Sequence, residues 1–193
     1  MNTLSLNSPM TSIISCLNPS RLSGLGWMVG GSLVIAAASQ ISIPFTPVPF
    51  TLQTFAVLLV GMMYGWQLGT ATILLYLMEG ASGLPVFQGF SGGFSVLLGP
   101  TSGYLLGFLF ITLLSGYLLQ RGLAASFITT FLVGCIALFG TLILGAAVLA
   151  SFIGLKAAIA LGFTPFIGIE IAKALVASSI APHFWQAQKD SPR

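Results

Sequence analysis

Apolar residues along this chain come in long blocks, and the polar positions gather at the breaks between them. The first block runs from about Gly24 to Ser42. It ends in Ile43-Pro-Phe-Thr-Pro-Val-Pro-Phe50, where three prolines enforce an extended loop. A second block starts near Thr51 and a third ends near Glu79, with Gly61 and Gly65-Trp66 as the break between them. Each would hold about 14 residues, or about 21 Å of helix, which is short for a full span. One continuous helix would be too long, so the pattern predicts two short spans.

Residues 80–99 form a loop rich in Gly, Ser and Phe. A fourth helix is expected from Gly99-Pro-Thr-Ser-Gly-Tyr104, with Pro100 in its first turn, to just before Gln120. The fifth covers about Ala124 to Ser151. The sixth starts with Thr164 as N-cap and Pro165 at the first helical position, and runs to about Ile180. Apolar blocks of this length suit a hydrocarbon core about 30 Å thick. The expected fold is an all-α integral membrane protein, a six-transmembrane-helix bundle over residues 21–185. Residues 1–20 read as a polar, poorly ordered cytoplasmic tail, and residues 186–193 as a second one.

Composition sharpens this reading. The chain carries six Lys or Arg and three Asp or Glu, and 56% of it is apolar; a soluble domain has about 25% charged residues. The basic residues are scattered, which argues against nucleic acid. Six passes put both termini on one side. With that side cytoplasmic, Arg21, Arg121, Lys189 and Arg193 lie inside and only Lys156 outside, as the positive-inside rule asks. Cys135 sits in an apolar run and reads as a buried thiol; Cys16 lacks the flanks of a signal peptide.

Against this background Glu170 and Lys173 stand out, one helical turn apart inside an apolar segment. Spacing of three residues puts both on one helix face, with Cβ atoms about 5–6 Å apart. A charge at the bilayer centre costs about 2.5–3.5 kcal/mol on insertion scales, so such residues pair, face protein or water, and mark sites. An ion pair locking two helices is the plainer use of the same residues. Gln53 and Thr54, Gln88, and Thr101 and Tyr104 fall on the same inferred outer face. With Phe45, Phe50, Phe87 and Phe90 as walls, they outline a small-molecule pocket. No catalytic set accompanies them. His183 is the single histidine and sits beside Phe184 and Trp185 as in an interfacial belt, and no metal cluster, nucleophile elbow or Walker A loop is present. In the first helix Gly26 and Gly30, and Ser32 and Ala36, repeat at four-residue spacing. Such small faces serve packing inside a bundle or docking of a partner subunit.

Three blocks carry a family resemblance: Gln40-Ile-Ser-Ile-Pro-Phe-Thr-Pro-Val-Pro-Phe-Thr-Leu-Gln-Thr54, Tyr76-Leu-Met-Glu-Gly-Ala-Ser-Gly-Leu-Pro-Val-Phe87 and Leu98-Gly-Pro-Thr-Ser-Gly-Tyr104. Together with Gly89-Phe-Ser-Gly-Gly93, the chain resembles the substrate-binding (S) components of energy-coupling-factor biotin transporters, the BioY family. The resemblance implies six helices, a loop-covered site near the outer face, biotin as ligand, and no cofactor. It also implies a membrane scaffold subunit and two ATPase subunits as partners, in a bacterial plasma membrane. Glu170 and Lys173 match an acidic and a basic position of the family's last helix, where the pattern has Pro-Gly-Asp followed three residues later by Lys. Here Asp has become Glu and the Pro-Gly is lost. In that frame Glu170 accepts from the ureido N–H groups of biotin. Lys173 either neutralises the valerate carboxylate or pairs with Glu170 and orients it. Another vitamin as ligand, a membrane enzyme and a purely structural scaffold are the competing readings.

Overall fold

The computed structural model describes residues 21–123 and 126–189, with side chains over residues 24–123 and 126–181. Both expected tails lie wholly or partly outside this range: residues 1–20 with Cys16, and residues 190–193. The side chains of His183 and Lys189 lie outside it too.

Among the described residues, five long helical segments account for most of the chain. They are α1 (Arg21–Gln40), α2 (Gln53–Ala81), α3 (Ser102–Gln120), α4 (Phe127–Ile153) and, after a single turn α5 (Leu155–Ala158), α6 (Ile167–Lys189). Helices are the expected outcome, because a backbone in lipid must satisfy its N–H and C=O groups within its own segment. Four stretches are long and apolar enough to cross a membrane: Gln53–Ala81, Ser102–Gln120, Phe127–Ile153 and Leu155–Ala181. The chain is a multi-pass membrane protein.

The second segment is not one straight rod. Gly65 inside it has φ 76° and ψ 176°, a left-handed φ that a side chain would resist. The amide of Gln53 lies 2.6 Å from the Tyr76 hydroxyl, whereas 23 helical residues would separate them by about 34 Å. A Cβ built on Gly69 would lie 3.4 Å from the Cα of Gly61. The two arms therefore fold back side by side at Gly65, where the sequence pattern had placed a break. Gly61, expected to share that break, is instead helical and packs against Ser115 and Thr112 of α3.

Short β-strands β1 (Ser42–Ile43) and β2 (Phe50–Thr51) pair antiparallel, Ser42 with Thr51 and Ile43 with Phe50, and close the proline loop into a hairpin. The 80–99 segment carries two 3₁₀ turns, Gln88–Phe90 and Val96–Leu98. Between α5 and α6 a π turn (Ile159–Phe163) passes into a 3₁₀ turn (Thr164–Phe166). Two expectations about the last helix need correction. Thr164 does not cap it, because its hydroxyl donates 3.0 Å back to the Ile159 carbonyl inside the widened turn. Nor does the helix stop near Ile180: it passes through Pro182 to Lys189, giving up the one amide bond that proline cannot make. The helix of Thr101–Tyr104 likewise begins at Ser102, so Pro100 precedes it.

Packing relies on small residues, as it must where lipid is as apolar as the core. Thr141 of α4 donates 2.9 Å to the Gly107 carbonyl of α3. A Cβ on Gly116 would stand 2.3 Å from the backbone nitrogen of Trp66, just past the α2 reversal. Of the small residues in α1, Gly26 and Gly30 lie on an exposed face with open space where a Cβ would go. Ser32 and Ala36 do not share that face. Ser32 is fully buried and donates to Glu79 at 3.1 Å, and Ala36 packs against the core. A partner-docking role for those two is therefore corrected to internal packing.

Gly116→Ala should lower stability by about 1–3 kcal/mol, because the clash is with backbone and neither helix can yield cheaply. Gly30→Ala, with open space in a helix interior, should leave it unchanged or raise it by up to about 1 kcal/mol. Thermal unfolding in detergent of the two variants against the unaltered chain checks this.

Candidate functional site

At one end of the bundle the β1–β2 hairpin, the 80–99 loop and the Thr164–Phe166 turn converge over a cavity between helices. The end that carries Gly65, Trp66 and Gln120 is the opposite one. The six residues expected from the sequence, Gln53, Phe87, Thr101, Tyr104, Glu170 and Lys173, all line this cavity, as do Thr54 and Gln88.

Glu170 lies in the first turn of α6 and Lys173 one turn on, and both are buried. The Lys173 ammonium donates 2.6 Å to Glu170 Oε1, 2.8 Å to the Thr54 hydroxyl and 2.8 Å to the Thr51 carbonyl. Thr54 in turn donates to the Glu170 carboxylate, 3.0 Å from Oε1 and 3.1 Å from Oε2. All three ammonium protons thus have acceptors, while the carboxylate, able to accept about four bonds, keeps capacity at Oε2. Of the two open arrangements for Lys173, the structure has the one in which it pairs with Glu170. The macrodipole adds a mild preference for an anion in the first turn of α6.

The remaining polar residues are held by the loops they support. Gln53 donates to the Tyr76 hydroxyl, which donates 2.9 Å to the Val86 carbonyl. Ser39 donates 2.8 Å to the same carbonyl. Gln40 donates 3.0 Å to the Phe87 carbonyl and accepts from the Phe90 N–H at 3.0 Å. This seats the Phe87 ring over Gly80, edge-on to Tyr76 at 5.5 Å. Tyr104 donates 2.7 Å to the Gly162 carbonyl and so anchors the π turn. Thr101 stands at the N-cap of α3 but makes no side-chain cap bond. Gln88 donates 3.2 Å to Ser42, joining the two loops.

The apolar walls differ from the expectation. Phe87 lines the cavity, but Phe90 is 71% exposed. Phe45 packs on Phe50, which stacks on Phe166 at 4.4 Å, so Phe166 presents the inner face. Phe108, Leu105, Leu138, Thr141 and Leu142 complete the walls. Apart from Thr141, nothing in the sequence distinguishes these from other apolar helix positions.

The sequence pattern of the BioY family matches residues 10–190. The chain belongs to the BioY family. It is 42% identical over 146 residues to the probable biotin transporter BioY of Pyrococcus horikoshii, spanning 76% of this chain and 86% of that one. To the biotin transporter BioY of Thermotoga maritima it is 40% identical over 149 residues, 77% of this chain and 87% of that one. Its fold is similar to a crystal structure of the S-component for biotin from an ECF-type ABC transporter. That match has TM-score 0.77 and 26% identity, and covers 88% of this chain and 94% of the other. The relatives are named as transporters.

In this BioY-family site, removing one member of the buried pair leaves the other charge without a partner. Glu170→Gln should therefore destabilise by about 3–5 kcal/mol, and Glu170→Gln with Lys173→Met should recover most of that loss. Thermal unfolding of Glu170→Gln, Lys173→Met and the double variant in detergent reads the difference; losses that simply add would mean the pair is not coupled.

Proposed function

We propose that this chain is the biotin-capturing S component of an energy-coupling-factor transporter. The observation that carries the proposal is the Glu170–Lys173 pair, buried in a lipid-embedded bundle and turned into a cavity rather than toward a neighbouring helix alone. Biotin brings two ureido N–H donors, an apolar fused ring and a carboxylated tail. The spare capacity of Glu170 suits those donors, and charge-assisted bonds of this type are about twice as strong as neutral ones. Phe166, Phe108, Leu138 and Leu142 supply apolar walls for the ring. Gln53, Thr101, Tyr104 and Phe87 complete the site.

The topology follows the same reading. Counted as separate passes, the two arms of α2 bring the total to six, and both termini share a side. The cavity end then faces outward with Lys156, and Arg121 faces the cytoplasm together with the start of α1. In this reading the chain works in a bacterial plasma membrane and takes biotin from outside. Delivery inward rests on a membrane scaffold subunit and two ATPase subunits, with Gly26 and Gly30 on the exposed face of α1 as the contact.

Lys173→Ala should lower biotin affinity by at least about tenfold, or about 1.4 kcal/mol. The test is calorimetry on protein that remains monodisperse in detergent; unchanged affinity removes Lys173 from the site. Saturation by a different vitamin in preference to biotin would sink the ligand assignment. For the topology, single cysteines at Ser95 and Ser126, both exposed, in a chain lacking Cys16 and Cys135 give a direct readout. An impermeant maleimide on intact cells should label the first and spare the second.

A further inference from the structure

The charge distribution of the cavity bears on which end of the ligand is read. Of its lining residues, Glu170 alone is acidic and Lys173 alone is basic, and they neutralise one another at 2.6 Å. The three Lys173 protons are committed to Glu170, Thr54 and the Thr51 carbonyl. An anionic ligand group could claim one only by breaking a buried bond and approaching the Glu170 carboxylate, at a like-charge cost. The other basic residues among those described are elsewhere. Arg121 follows Gln120 at the far end of α3, and Arg21 opens α1 about 28 Å from Gln40 at 1.5 Å per residue. Lys156 is exposed and does not line the cavity. Lys189 stands about 24 Å beyond Lys173 along α6.

The rim contrasts with the floor. Where the floor is buried, the loop residues Pro49, Gln88, Ser91 and Val96 and the helix-opening Thr101 are half-buried. They offer amide and hydroxyl groups and no charge. Such groups bond an ester or amide carbonyl as well as a carboxylate, and the extra strength of the charged bond is screened where the tail stays hydrated.

Resting on the reading of this chain as a biotin-binding subunit, we infer that the site recognises the ureido ring and leaves the tail carboxylate unread at the rim. Neutral esters and amides of biotin are then ligands as well as the free acid. The experiment is displacement of radiolabelled biotin from the full chain in detergent by unlabelled biotin, biotin methyl ester and the primary amide. An exposed polar contact is worth at most about 1 kcal/mol, so both neutral compounds should compete within about tenfold of biotin. A loss larger than tenfold for either compound overturns the inference, because the tail charge must then be met by a buried cation. Retention of labelled biotin with that loss leaves the transport reading standing. Failure of labelled biotin to bind at all sinks that reading and this inference with it.

Discussion

The ammonium of Lys173 ties together three parts of the chain that are distant in sequence. It holds Glu170 on its own helix, the Thr54 hydroxyl at the start of α2, and the Thr51 carbonyl in β2. Neither charge is tolerable alone in an apolar interior, where even a paired ion must recover several kcal/mol of lost hydration. The network recovers it through bond count: three acceptors for the ammonium, and two donors for the carboxylate. The same requirement fixes the geometry of the cavity. For the pair to be satisfied, α6 must lie against the opening of α2, and the proline hairpin must deliver its last carbonyl to that junction.

A second set of bonds holds the covering loop. Ser39 and Gln40 from the end of α1, and Tyr76 from the second arm of α2, all engage backbone groups between Val86 and Phe90. Gln53 lines the cavity and also bonds Tyr76, so one side chain touches both the binding space and the support of its roof. Buried polar chains of this kind are rigid when every member is satisfied. The loop is thus placed by side chains of the bundle rather than by its own sequence, which is mostly Gly, Ser and Phe.

Legibility in the sequence divided along chemical lines. Glu170 and Lys173 could be seen because ionisable residues in an apolar block are rare, and Gln53, Thr101 and Tyr104 because polar residues at helix starts fall on one membrane face. The cavity gathers them all. The wall residues could not be seen: Phe166, Phe108 and Leu138 are apolar residues among apolar residues, and only tertiary packing selects them. Phe90 was misplaced for a related reason, since the bond from its N–H to Gln40 sets the local backbone and leaves the ring exposed. Around Thr164 and Pro182 local rules gave way to context. A π turn anchored by Tyr104 took the place of a capped start, and the neighbouring turns carried the helix past proline.

The reversal at Gly65 bears on how α2 sits in its membrane. The arms before and after it are about 18 and 24 Å long at 1.5 Å per residue, both under the roughly 30 Å of hydrocarbon that a stable insert must bridge. Neither arm bridges that thickness as a straight helix, so each depends on its neighbours for its place, and Gly116 of α3 seats against Trp66 at their bend. A side chain at position 116 would push α3 off the reversal on which the two arms turn.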